Sequence, residues 1–129
     1  MDKNIENLIP KDKFDIERAE NLKNYSYLEI KSIVPELLEW IQDCNWSVAK
    51  PISEYLASIH ENITFEILQI LKTNDEVWKY WTILIFGEIT NNKSIRDEII
   101  RIAINPTENE IAEEVDKVAN DIIKVRNWN

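Results

Sequence analysis

A single glycine, Gly87, occurs in the 129 residues, and that scarcity constrains the fold more than any other feature. β-Sandwiches and barrels turn tightly many times, and phosphate-cradling loops depend on several glycines, so both are disfavoured. Four prolines add few further interruptions, and the stretches between them carry apolar residues at helical rather than alternating spacing. At roughly 150 residues per domain the length fits one domain. Such a chain buries about two-thirds of its unfolded surface, so it needs no disulfide or metal to hold it. The expectation is a single all-α domain over residues 1–129, with residues 1–13 as an extended lead-in that docks on the helices.

The apolar stripes give the helices one by one. Ile16, Ala19 and Leu22 mark a short first helix, and Ser26 with Glu29 has capping-box spacing that restarts the chain at Tyr27. Pro35 opens a helix at its first turn, with Ser32 as a candidate cap and Val34, Leu37, Leu38 and Ile41 inward. Residues 46–59 bury Val48, Ile52, Tyr55, Leu56 and Ile59, with Asn45 as cap. Pro51 is tolerated there only within the opening turns or at a kink. Ile63, Ile67, Ile70 and Leu71 form the next stripe. Thr73 and Glu76 cap a helix over 75–89 whose aromatic, β-branched middle mimics a strand, although its length and cap favour helix. Ser94 begins a helix with Ile95, Ile99 and Ile102 inward, ended by Asn105-Pro106. Thr107 and Glu110 cap the last one, whose seam is Ile111, Val115, Val118, Ile122 and Val125. Its early acids, Glu108, Glu110, Glu113 and Glu114, read as a solvated face that complements the helix dipole.

Charge narrows the partners. Fifteen Lys and Arg against 24 Asp and Glu leave −9, which repels phosphate backbones and anionic lipid, so neither nucleic acid nor membrane is an expected partner. Cys44 has no second cysteine to pair with, and no early apolar core of signal-peptide length precedes it, so the expected compartment is the cytoplasm. No apolar run approaches the ~20 residues needed to span a bilayer. Frequent isoleucine and a preference for lysine over arginine hint, by composition alone, at an AT-rich bacterial genome.

Two helices repeat. Asn45-Trp46-Ser47-Val48 leading to Leu56-Ala57-Ser58-Ile59 parallels Asp75-Glu76-Val77 leading to Phe86-Gly87-Glu88-Ile89, and each is followed by a shorter amphipathic helix. Stacked helix pairs are organised in this way, because no pair buries its apolar face alone. Ala57 and Gly87 would admit a close neighbour. The segment 75–89 is similar to the first helix of a HEAT repeat. It lacks the arginine usual after the valine, since Trp78 stands there and Ala49 in the other copy, and the period is shorter than the roughly 40 residues of that repeat. The expected architecture is a HEAT/armadillo-like stack of about six to seven short antiparallel helices.

A more specific resemblance is carried by four motifs in order. Leu8-Ile9-Pro10-Lys11-Asp12-Lys13-Phe14-Asp15, Pro35-Glu36-Leu37-Leu38-Glu39-Trp40, the block from Asn45-Trp46 to Pro51, and Asp75-Glu76-Val77-Trp78-Lys79-Tyr80-Trp81 together resemble the bacterial family known as domain of unknown function 5071, over about residues 8–90. The family usually has proline where this chain has Ser47, a departure that only softens a helix start. The resemblance implies a small helical domain and brings no activity with it.

Catalytic chemistry finds little to work with. His60 and Cys44 are single copies, each read as a bland surface histidine and an inert thiol, because a nucleophilic pair would need them within hydrogen-bond reach and a lowered thiol pKa. They are too few for a four-ligand zinc site. Glu36, Glu39 and Asp43, at i, i+3 and i+7, would share one helix face, and such carboxylates can hold a hard cation. Without EF-hand spacing they read as solvated acids. No catalytic residue, metal or cofactor is expected.

What remains is binding. Five tryptophans are many for this length, and indoles dominate both cores and interface hot spots. Trp81 reads as core, whereas Trp40 falls off the Leu37, Leu38, Ile41 stripe among acids. Residues 26–61 hold six acids against two bases, −4, while 62–105 hold six against five, −1. In a HEAT-like stack the second helix of each pair lines a concave face, which would place Glu36, Glu39, Trp40, Asp43, Gln69 and Arg101 along one groove as binding residues. The expected function is a non-enzymatic protein-interaction module with a basic protein partner, an immunity-type inhibitor of a basic toxin being its specific form. The competing reading is a small-molecule or metal-binding enzyme that uses carboxylates in the same groove. HEAT-like alkylpurine glycosylases act on DNA, but −9 argues against that here. The sequence does not fix an oligomeric state.

Overall fold

The protein is described by a computed structural model over residues 3–128. No strand occurs among the described residues, and no helix among them is long and apolar enough to cross a membrane. The chain forms two compact units, Met1–Asn62 and Ile63–Asn129.

In the first unit, residues Lys3–Leu8 wind into a 3-10 helix rather than an extended lead-in, and this buries Ile5 and Leu8. Arg18 on α1 (Ile16–Asn21) donates to the Ile9 carbonyl at 3.3 Å, which ties the lead-in down. The expected capping box forms at Ser26 and Glu29 and opens α2 (Tyr27–Ile30). α3 (Val34–Glu39) carries Pro35 in its first turn as expected, but Ile33, not Ser32, occupies the cap position. Val34, Leu37 and Leu38 are buried, and so is Ile41 beyond the helix end. The next helix, α4 (Ala49–Ser58), starts later than the expected residue 46: Val48, not Asn45, holds the cap position, and ahead of it the Asn45 N–H donates to the Asp43 carboxylate at 2.9 Å in an Asx-type turn. That start places Pro51 third in the helix, where its missing N–H is an orphan position anyway. Ile52, Tyr55 and Leu56 bury the face toward α1, and the Tyr55 hydroxyl donates to the Tyr25 carbonyl at 2.9 Å.

The second unit contains α5 (Thr64–Leu71), α6 (Glu76–Phe86), α7 (Lys93–Ile104), α8 (Glu108–Ala112) and α9 (Val115–Arg126). α9 packs on α6 and α7, and α5 packs on both as well. The stripes Ile63, Ile67, Ile70, Leu71 and Ile95, Ile99, Ile102 are buried throughout. The cap of α6 is Asp75, whose carboxylate accepts from Trp78 N–H at 3.1 Å, rather than Thr73. α7 begins one residue before Ser94, capped by Asn92, which accepts from Ile95 N–H. The expected single last helix is two. Thr107 and Glu110 form their capping box, but Glu114 adopts the left-handed region at φ 63° and breaks the chain between α8 and α9. Val115, Val118 and Ile122 keep the buried seam, while Ile111 before the break and Val125 at the far end are exposed. Gly87, at the end of α6, lies so close to α9 that an added Cβ would stand 2.9 Å from Ile122 Cγ1.

Candidate functional site

In the first unit the turn from the 3-10 helix to Pro10 runs alongside α2 and the start of α3, and the two sides enclose a groove of about 1090 Å3. Ile5, Ile9, Pro10 and Ile33 supply apolar lining, and Leu28 stands on the wall with 77% of its surface exposed. The local cause is the short α2. Four helical residues hold Ile30 inward and must turn Leu28, two positions earlier, outward. Around this lining stand Glu6, Glu29 and Glu36 against Lys11 and Lys31, so the rim carries an acidic excess.

Glu36 thus belongs to the groove, whereas Trp40, four residues on at the end of α3, is not part of its lining. Trp40 caps the end of α3, half-buried, with its ring edge-on to Trp46 at 5.5 Å between centroids. Glu39 is exposed. Asp43 corrects the expectation of three acids on one helix face: α3 ends at Glu39, tight turns follow at Trp40, Ile41 and Gln42, and Asp43 turns its carboxylate to Asn45 N–H. Beside it, burial and then the Asp43 charge push the Cys44 thiol up to about 11, so it is not a thiolate near neutral pH.

Gln69 and Arg101 lie in the second unit, Gln69 exposed on α5 and Arg101 on α7. The Arg101 guanidinium is committed to carboxylates. It grips Glu110 with Nη1–Oε1 at 2.8 Å and Nη2–Oε2 at 2.9 Å, and it reaches Glu98 at 2.7 Å. Glu110, expected on a solvated face, is 0% exposed. The capping box aims it inward: Thr107 N–H donates to its carboxylate at 2.8 Å, and the buried Lys79 ammonium adds a bond at 2.7 Å. Burial alone would raise this carboxyl, but the bonds from Arg101, Lys79 and Thr107 outweigh it and hold the pKa at about 2. Lys79 also pairs with Glu76 at 2.9 Å and donates to the Thr73 carbonyl at 3.1 Å. Sequence reasoning missed Glu76, Lys79 and Glu110 as a cluster. The capping-box spacing was the one available pointer, and it carries no information about burial. The arrangement joins α6, α7 and α8 under a polar cleft of about 380 Å3. Glu76, Glu98 and Glu110 share Lys79 and Arg101, and the cluster clamps the three helices together.

Among the described residues, no group of three His, Cys, Asp or Glu side chains is placed to hold a metal ion. His60 sits half-buried in a 3-10 turn after α4. Compared with known proteins, residues 8–123 match a family model described as Domain of unknown function (DUF5071), a longer span than the four motifs cover. No curated protein matches the chain.

Proposed function

The chain belongs to the domain of unknown function 5071 family, and from that premise we propose that it is a non-enzymatic protein-binding module of the bacterial cytoplasm, docking a basic partner on its first helical unit. The observation that carries this reading is the groove with Leu28 exposed on its wall. An apolar surface left open beside charged rims is the usual form of a docking site. Leu28 and Ile9 supply area to desolvate, Trp40 supplies an indole anchor four residues from Glu36, and Glu6, Glu29 and Glu36 outnumber Lys11 and Lys31 on the rim, with Glu39 exposed nearby in the chain. Acids at a rim mainly speed encounter with a basic partner, and that effect fades with salt. An immunity-type inhibitor of a basic toxin is the specific form that fits a small chain of charge −9.

The test is a paired capture from the source cytoplasm with the wild-type chain and with Leu28→Glu, which places a charge in the groove without touching the core. The reading expects at least one basic protein held by the wild type and lost by the variant, with both chains unfolding at the same urea concentration. If every captured protein is held equally by the two, the groove is not the docking surface.

A further inference from the structure

The second unit contains a pocket of about 170 Å3 lined by Thr90, Asn91, Lys93, Arg96, Arg126 and Trp128. In a chain with 24 acids against 15 bases, this lining has three cations, two of the four arginines among them, and no carboxylate among the described residues. We infer that this pocket is a binding site for a phosphate group, either the free ion or a phosphate monoester.

Two elements build it. α7 begins at Lys93 with the Asn92 side chain capping Ile95 N–H, so Lys93 and Arg96 leave its first turn side by side over the pocket. At the other side α9 ends in Asn127, which takes the left-handed conformation at φ 57°. The Trp128 N–H then returns to the Ile123 carbonyl at 3.1 Å, closing the helix end as in a Schellman turn. This turn folds Trp128 back against Arg126, whose guanidinium lies 4.7 Å from the ring centroid. Arg126 is fixed further by donating Nη1 to the Gly87 carbonyl at 2.8 Å and Nη2 to Asn91 at 3.4 Å. These bonds use two of its five N–H donors and leave the others for a ligand.

The Arg96 guanidinium makes no hydrogen bond or ion pair among the described residues, although its charge is felt by Asp97. Lys93 is held by Asp97 at 2.7 Å, an exposed i, i+4 pair of the kind that contributes little and exchanges readily. Thr90, fully buried, accepts from Asn92 N–H at 3.2 Å and lines the pocket with its hydroxyl proton given to no described acceptor. Two forked guanidiniums, an ammonium and a hydroxyl match an oxyanion with several acceptors, and the excess of positive charge favours a dianion over a carboxylate.

The test titrates inorganic phosphate, phosphoserine and acetate separately into the full chain at pH 7.5 and fixed ionic strength, following the backbone amide resonances of residues 90–96. Fixed ionic strength removes screening as a cause of shifts. The proposal expects saturable shifts with phosphate or phosphoserine and much weaker binding of acetate. It expects affinity to fall about tenfold in Arg96→Ala, the loss of one charge-assisted contact, to fall likewise in Lys93→Ala, and to rise in Asp97→Asn, which frees Lys93. These three positions are exposed, so the variants fold. Phosphoserine binding at least as tightly as phosphate identifies a monoester ligand, and phosphate binding alone identifies the free ion. Non-saturable shifts, acetate binding as tight as phosphate, or an unchanged constant in both Arg96→Ala and Lys93→Ala overturns the site.

Discussion

At the scale of single residues, Glu110 has the largest effect. Its carboxylate is fully buried and held by Arg101, Lys79 and Thr107 N–H, and its loss takes a charge partner from the buried Lys79, which keeps Glu76, and from Arg101, which keeps Glu98. Glu110→Gln is therefore expected to destabilise the chain by about 3 kcal/mol, read from urea unfolding. The pH dependence has a definite sign. The folded pKa of about 2 lies below the usual 4.5, so the stabilisation is fully present above pH 4.5 and is lost as pH falls from there toward 2. Between pH 7 and pH 3 this one group should cost the wild type about 2 kcal/mol, and Glu110→Gln should lack that share of the decline. A variant that keeps the full wild-type acid sensitivity would locate it elsewhere.

At the scale of elements, two backbone positions carry predictions. Gly87→Ala would ordinarily favour helix, but its Cβ would stand 2.6 Å from the Ile83 carbonyl oxygen and 2.9 Å from Ile122. The close packing of α6 on α9 should make it destabilising by about 1–3 kcal/mol. Glu114→Gly is expected to do the opposite and raise stability by about 1 kcal/mol, because a left-handed residue with a Cβ is strained there; both changes are read from the urea midpoint. The same elements show what the sequence discloses. The stripes at 63–71 and 95–102 and the capping boxes at Ser26 and Thr107 were legible, since each is a local pattern of spacing and hydrogen-bond chemistry. The break at Glu114 was not, because apolar spacing gives the phase of a helix and says nothing of its continuity. Trp40 was legible as lying off the buried stripe, whereas Asp43 was misplaced because nothing in the residues from Glu39 to Asp43 announces so early a helix end. Glu110 and Lys79 were missed for a similar reason: 31 residues separate them, and only the packing of α8 beside α6 and α7 makes them partners.

At the scale of the whole molecule, the charge of −9 divides almost evenly, −5 on the first unit and −4 on the second, so the units differ in how their charges are grouped. The first unit combines an acidic rim with an open apolar groove, while the second gathers lysine and arginine into a clamp and a cationic pocket. Each unit has its own buried apolar side chains, and Trp40, half-buried against Trp46, lies off the Leu37, Leu38, Ile41 stripe, so binding and stability can be read separately in its truncation. The decisive measurement is the dissociation constant of the captured basic protein for Trp40→Ala against wild type, taken where both chains are folded. A rise of about 30-fold, the equivalent of 2 kcal/mol for a hot-spot indole, with the urea midpoint retained is the predicted result; an unchanged dissociation constant, or a stability loss of about 3 kcal/mol or more as for a buried aromatic, would contradict it.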